Sequence, residues 1–145
     1  MVNTEISIVS PMHNEELNVD EFLNRTNAVL QDMNVKYEIV VVNDGSTDNT
    51  MELLKHHKKK NRNLRILDLA RNSGQWAAVY AGMQSSKGAY VVVMDSDLQN
   101  LPEDIPRLYA KAKEGFSLVS GVRKGRTESA LFKKIPSKIA NWLLR

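Results

Sequence analysis

Asp95-Ser96-Asp97 sets two carboxylates one residue apart, with the amide of Gln99 two positions further on. In an extended segment alternate side chains point the same way, so all three oxygen groups can face one point. Carboxylate and amide oxygens are hard ligands suited to Mg2+ or Mn2+. The chain has no cysteine, and His13, His56 and His57 are not spaced around these acids, which argues against a metal that prefers nitrogen or sulfur. Asp44 follows the apolar run 39–42 with only Asn43 between. A plain turn and helix cap accounts for Gly45, which permits positive φ, and for Ser46 and Thr47 as capping residues. It does not account for Asp44, whose carboxylate can accept hydrogen bonds from an N–H-bearing base such as uracil or guanine.

Electrostatics narrows the ligand. Three carboxylates at one edge would repel a diphosphate, each pair at ~5 Å costing about 3 kcal/mol at an effective dielectric near 20. A divalent cation between Asp95, Asp97 and the phosphates reverses that sign and stabilises charge growing on a departing diphosphate. A metal-bridged nucleotide diphosphate is therefore the economical ligand. The chain has no G-x-G-x-x-G after the first strand, no G-x-x-x-x-G-K-[ST] and no G-x-S-x-G, so dinucleotide, P-loop and nucleophile-elbow readings lack their residues.

The elements that must position these residues alternate along the chain. Residues 6–9 form the first strand, ended by Pro11, and 14–33 carry Val19, Phe22, Leu23, Thr26, Leu30 and Met33 at helical spacing. Residues 37–42 predict a buried strand, and Ser46 to Asp48 the cap of a helix bearing Met51, Leu53 and Leu54. A strand over 64–69 and a helix over 74–86 follow, with Gly88 as its C-cap glycine and Trp76, Val79, Tyr80 and Met83 as core residues. Residues 89–94, the most continuous apolar run, predict the central strand. Pro102 opens a helix through 113, and 117–120 make a fifth strand. Such alternation means βαβ units: an α/β fold with a mostly parallel central sheet flanked by helices. Ligands bind such sheets at the carboxyl ends of their strands, where residues 13–15, 43–44, 71–72 and 95–97 all fall.

The 145 residues fit one domain, 42% hydrophobic and 26% charged, as in ordinary globular proteins. There is no secretory leader pattern and no run near the ~18 apolar residues of a membrane span, so the piece itself is expected to be soluble. Residues 123–145 carry seven basic groups and one acid, against 13 basic and 16 acidic over 1–122. This divides the chain into a core, 1–122, and a basic amphipathic tail, 123–145. Leu131, Phe132, Ile135, Ile139, Trp142 and Leu143 recur at helical spacing with Lys133, Lys134, Lys138 and Arg145 largely elsewhere. Two readings stand: an interfacial helix over 129–145 against anionic lipid, or a helix packed on further protein. Nucleic acid is not expected, since aromatic interleaving and a recognisable motif are missing.

Residues 11–18 (PMHNEELN), 41–48 (VVNDGSTD), 71–74 (RNSG) and 95–99 (DSDLQ), with 121–124 (GVRK) and the tail, resemble family 2 glycosyltransferases of the GT-A fold. The resemblance covers essentially the whole chain and is closest to the dolichyl- or polyprenyl-phosphate sugar synthases. It implies a Rossmann-like nucleotide-diphospho-sugar transferase core and an inverting transfer from an α-linked nucleotide sugar to a polyprenyl phosphate. Pro11, His13, Glu15, Asp44 and Arg71 would line the nucleotide side, with Asp95 reaching the nucleotide sugar. Asp95, Asp97 and Gln99 would bind Mg2+ or Mn2+. The implied catalytic set is Asp95, Asp97 and Arg123, with Arg123 meeting donor or acceptor phosphates. The donor expected is UDP-glucose, then GDP-mannose, and the setting is the cytoplasmic face of the cell membrane. His13 stands where the family commonly has an aromatic residue, and Asn100-Leu101 replaces the common Asp-Pro. Relatives of this type continue past position 145 into acceptor-site residues and membrane helices, so a truncated catalytic piece is expected. Two alternatives remain: a soluble family 2 enzyme with a sugar hydroxyl acceptor, and a non-catalytic nucleotide-binding or receiver-like module.

Overall fold

The computed structural model describes residues 4–121. Four parallel strands, β1 (Ile6–Met12), β2 (Tyr37–Asn43), β3 (Leu64–Asp68) and β4 (Tyr90–Val93), lie in the order β3-β2-β1-β4. The connections are α1 (Val19–Asp32), α2 (Thr50–Lys60) and α3 (Gln75–Ser85); a 3-10 turn (Pro102–Asp104) and α4 (Ile105–Lys113) follow β4. Parallel neighbours need such crossovers because a short turn cannot return the chain to the same edge.

The two faces of the sheet are built differently. Ile6, Ile8 and Met12 of β1, Ile39 and Val41 of β2 and Leu64 of β3 join Phe22, Leu23 and Leu30 of α1, Leu54 of α2, and Ile105 and Tyr109 of α4 in one buried cluster. On the other face α3 packs on β1 and β2 through Ala78, Val79 and Gly82. A Cβ on Gly82 would lie 2.4 Å from Val9 Cγ1, so α3 sits as close to the sheet as a helix can. β1, covered on both faces, is buried at all seven positions.

Several expectations change here. Among the described residues β4 stands at the edge of the sheet, and Val91 and Val93 are 40% and 44% exposed. Among the described strands, the crossovers place β1 and β2 between β3 and β4. The first strand runs through Pro11 rather than ending there. The carbonyl of Val9 accepts the N–H of Met94 while that of Met12 accepts the N–H of Asp44. By that alternation Pro11 faces the β4 side, beyond the last β4 pairing at Val9, where no ladder donor is needed. Residues 117–120 form no strand. Trp76, Tyr80 and Met83 are 83%, 65% and 47% exposed, since the sheet takes the Ala78–Val79–Gly82 side of α3. Gly88 is no C-cap: α3 ends at an extended Ser86, and Gly88 instead lets the chain pass Ser7, whose backbone N would lie 2.6 Å from an added Cβ.

Candidate donor cleft

Residues that leave β1, β2 and β4, together with the start of α3, enclose a cleft of about 520 Å³ at the carboxyl edge of the sheet. Its walls hold Pro11, His13, Glu15, Asp44, Gln75, Asp95 and Asp97, so four carboxylates face one space. A larger groove of about 960 Å³ lies between α1 and α2, away from these acids. The small cleft is where chemistry converges, because it sits at the strand ends that a parallel sheet offers to ligands.

The floor of the cleft is fixed by one loop bonding to the next. The N–H groups of Asn14, Glu15 and Glu16 donate to Ser46 Oγ, Thr50 Oγ1 and Asp48 Oδ2 at 3.0, 2.8 and 3.1 Å. In return Asn14 Oδ1 accepts the N–H of Thr47 at 2.8 Å, and Glu16 Oε2 that of Asn49 at 3.0 Å. Of the residues expected to cap α2, Asp48 accepts the N–H of Thr50, the first residue of the helix, at 3.0 Å while it also pins the β1–α1 loop, and Asn49, at the N-cap position, makes no side-chain cap bond. Burial pushes the Asp48 carboxyl upward, but the hydroxyl and N–H of Thr50 and the N–H of Glu16 outweigh it and hold Asp48 below the usual carboxylate range. His13 Nδ1 donates to the carbonyl of Asp44 at 2.8 Å, which orients the ring at the cleft mouth.

Asp44 is 3% exposed, and its two oxygens accept the N–H groups of Ser73 and Gly74 at 2.7 and 2.9 Å. It therefore anchors the β3–α3 loop as well as lining the cleft. Gly45 makes this possible: its φ is +64°, and a Cβ there would lie 2.5 Å from Arg71 C and Asn72 N. Arg71 itself is exposed and contributes packing through its backbone, not a wall of the cleft.

Asp95 and Asp97 both reach the cleft, with Ser96 buried between them and Leu98 packed toward the core. The two acids do not share an extended segment: β4 ends at Val93, and Ser96 and Asp97 already lie in a turn. Leu98 has φ +58° and the N–H of Gln99 donates to Asp97 Oδ1 at 3.0 Å, so the chain turns before Gln99, which is not a wall residue. No three His, Cys, Asp or Glu side chains converge as a metal group among the described residues. Arg123 and the 129–145 tail lie outside the described residues. Gln75 is the residue that sequence reasoning missed: its Nε2 donates to Asp95 Oδ1 at 2.8 Å. Its signal was position, directly after Gly74 at the opening of a helix that follows β3.

Comparison with known proteins identifies the family and the fold. The chain is 41% identical over 142 residues to the undecaprenyl-phosphate 4-deoxy-4-formamido-L-arabinose transferase of Salmonella paratyphi A, covering 97% of this chain and 43% of that protein. It is 43% identical over 137 residues to the same transferase of Pseudomonas savastanoi pv. phaseolicola, covering 94% and 40%. The chain thus spans less than half the length of these curated relatives. Among solved structures it is similar to S. aureus TarS 1-349, with a TM-score of 0.63 and 24% identity, covering 86% of this chain and 40% of that one. It is also similar to the mannosyltransferase PcManGT of Pyrobaculum calidifontis, solved with GDP-Man and Mn2+, with a TM-score of 0.57 and 22% identity, covering 64% and 27%. At these identities the structures speak for the fold alone, and it is the fold that the sequence motifs implied. The profile of Glycosyl transferase family 2 matches residues 7–144, nearly the whole sequence, and the chain belongs to that family.

Proposed function

We propose that this chain is the donor-binding part of an inverting glycosyltransferase that moves a sugar from a nucleotide diphosphate to a polyprenyl phosphate. The observation that carries this reading is the 41% identity, across 97% of the chain, to a transferase named for undecaprenyl phosphate. The acidic cleft at the strand ends is the matching geometry. Pro11, His13, Glu15 and Asp44 form the nucleoside end, with Arg71 beside it, and Asp95 and Asp97 form the diphosphate end. The fit to a divalent ion is chemical: two carboxylates share one cleft, and Mg2+ or Mn2+ needs only one or two of them when phosphates and water complete its shell. Asp95 and Asp97 would hold that ion with Gln99 nearby, and it would offset the diphosphate charge as the bond to the sugar breaks.

A phosphate acceptor is already anionic near neutral pH, so it needs little help from a general base and its positioning dominates. Arg123 is the residue proposed to meet phosphates. Residues 129–145 are proposed to lie on the cytoplasmic face of the membrane, where their basic and apolar sides suit anionic lipid. UDP-glucose and GDP-mannose remain the expected donors, and the relatives' names add 4-deoxy-4-formamido-L-arabinose to the transferred sugars worth testing.

Calorimetric titration of the chain with UDP and with GDP, first with Mn2+ and then with chelator, tests the donor site. Binding of one diphosphate that disappears with chelator is the expected result and selects the base. Transfer of labelled sugar to undecaprenyl phosphate by the full-length protein tests the acceptor. Transfer to a sugar hydroxyl and not to the lipid phosphate would overturn the reading.

A further inference from the structure

Gln75 occupies the first position of α3 and is exposed to the cleft, where its side-chain amide meets Asp95 Oδ1 at 2.8 Å. Only the amide N–H2 can satisfy a carboxylate acceptor, so chemistry sets which end of the amide faces Asp95. The backbone that presents Gln75 is itself fixed: Asp44 accepts the N–H groups of Ser73 and Gly74, and the loop rests on Gly45 with no space for a side chain between. A continuous chain of bonds therefore runs from Asp44 through residues 73–75 to Asp95, joining the two ends of the cleft across α3. The segment that carries Asp95 turns at Ser96 and Asp97, so the bond to Gln75 ties Asp95 to α3 from outside its own loop.

We propose that Gln75 is a positioning residue for Asp95, holding one carboxylate oxygen so that the other is presented to the cation and diphosphate of the donor. This rests on the donor-cleft reading above. Partners that orient a metal-binding carboxylate typically change metal affinity about tenfold or more when removed, although they never touch the ion.

The test is Gln75→Met in the full chain, a swap that keeps length and helix propensity but removes the donor. UDP and GDP are titrated with MnCl2 and with EDTA, and the melting temperature is recorded alongside. The expected result is about a tenfold loss of Mn2+-dependent diphosphate affinity, with an unchanged melting temperature and, as in the wild type, no binding in EDTA. Unaltered Mn2+-dependent affinity overturns the proposal while leaving the donor cleft intact. A loss accompanied by a lower melting temperature assigns Gln75 a structural role and overturns it too. Wild-type chain that binds neither diphosphate under either condition refutes the donor-cleft reading, and this proposal falls with it.

Discussion

Replacing Glu38 with glutamine tests how the edge of the sheet opposite the cleft is held together. Glu38 is 5% exposed; its Oε1 accepts Ser7 Oγ at 2.7 Å and the N–H of Lys87 at 2.6 Å, and its Oε2 accepts Arg65 NH1 at 2.8 Å. One carboxylate thereby ties β1, β2, β3 and the α3–β4 turn. Glutamine keeps the volume and can still accept from Ser7 and Lys87, but its amide N–H2 then points at the guanidinium, donor against donor. Hydrogen bonds to charged groups contribute about 1.5–3 kcal/mol each. Arg65 is about a third exposed and keeps its bond to the Ser85 carbonyl, so only part of that penalty applies to it. The expected cost is about 2.5 kcal/mol at pH 7, or a fall in Tm of about 7 °C for a domain of this size. Acid pH supplies an internal control. Burial pushes the Glu38 carboxyl upward, but Ser7, Arg65 and Lys87 together outweigh it and hold it below its ordinary value. A depressed carboxyl contributes stability above its unfolded value and loses it as pH falls through the folded one. The gap between wild type and Glu38→Gln should therefore be full at pH 7 and shrink below about pH 4.5. Urea denaturation at both pH values measures it. A gap under about 0.5 kcal/mol at pH 7, or one that does not narrow in acid, would refute the reasoning.

Asp97→Ala should remove most Mn2+-dependent diphosphate binding while leaving the Tm unchanged, because its side chain serves the cleft and one local turn; wild-type affinity by calorimetry would end the ligand assignment. Gly45→Ala meets backbone atoms at 2.5 Å and a φ of +64°, and should cost about 2–4 kcal/mol in urea melts as well as weaken diphosphate binding. Tyr109, buried and hydrogen-bonded to Glu5, has its phenol pushed up to about 12, by burial first and by Glu5 second. Its neutral form is favoured on folding, so stability should be fully present below about pH 10 and fall as pH rises from there toward 12. Absorbance of Tyr109→Phe against wild type during alkaline titration checks this, and a phenol lost from the normal range in the variant would contradict it.

The repeating elements were legible because their periods are local. Val19, Phe22, Leu23, Thr26 and Leu30 are the buried face of α1, as their spacing requires. Sheet order is not local: that β4 pairs with β1, with β2 and β3 on the other side, is set by the crossovers and not by the apolarity of 89–94. The same limit misled the reading of α3, where Trp76 and Tyr80 outweigh Ala78 and Gly82 in apolar area, but only small side chains fit against Val9 and Val42. In the cleft, residue types at strand ends located Asp44, Asp95 and Asp97. Their hydrogen-bond partners were out of reach, since Asp48, Thr50 and Ser46 look like ordinary capping residues until the β1–α1 loop is laid beside them.

The parallel order of the strands also dictates when the protein can acquire its ligand site. Ile6 pairs with Tyr37 on one side and with Tyr90 on the other, so β1 is synthesised long before its second neighbour exists. Loop closure of that length must precede any reward from the contact, which slows such pairings. Pro11, His13 and Glu15 belong to the beginning of the chain and Asp95 and Asp97 to residues past β4. Docking of β4 on β1 is then the event that brings the two halves of the cleft together. During refolding, ligand binding should lag behind burial of the α1 core, and a nascent chain shorter than β4 should hold the nucleoside wall with no opposite wall.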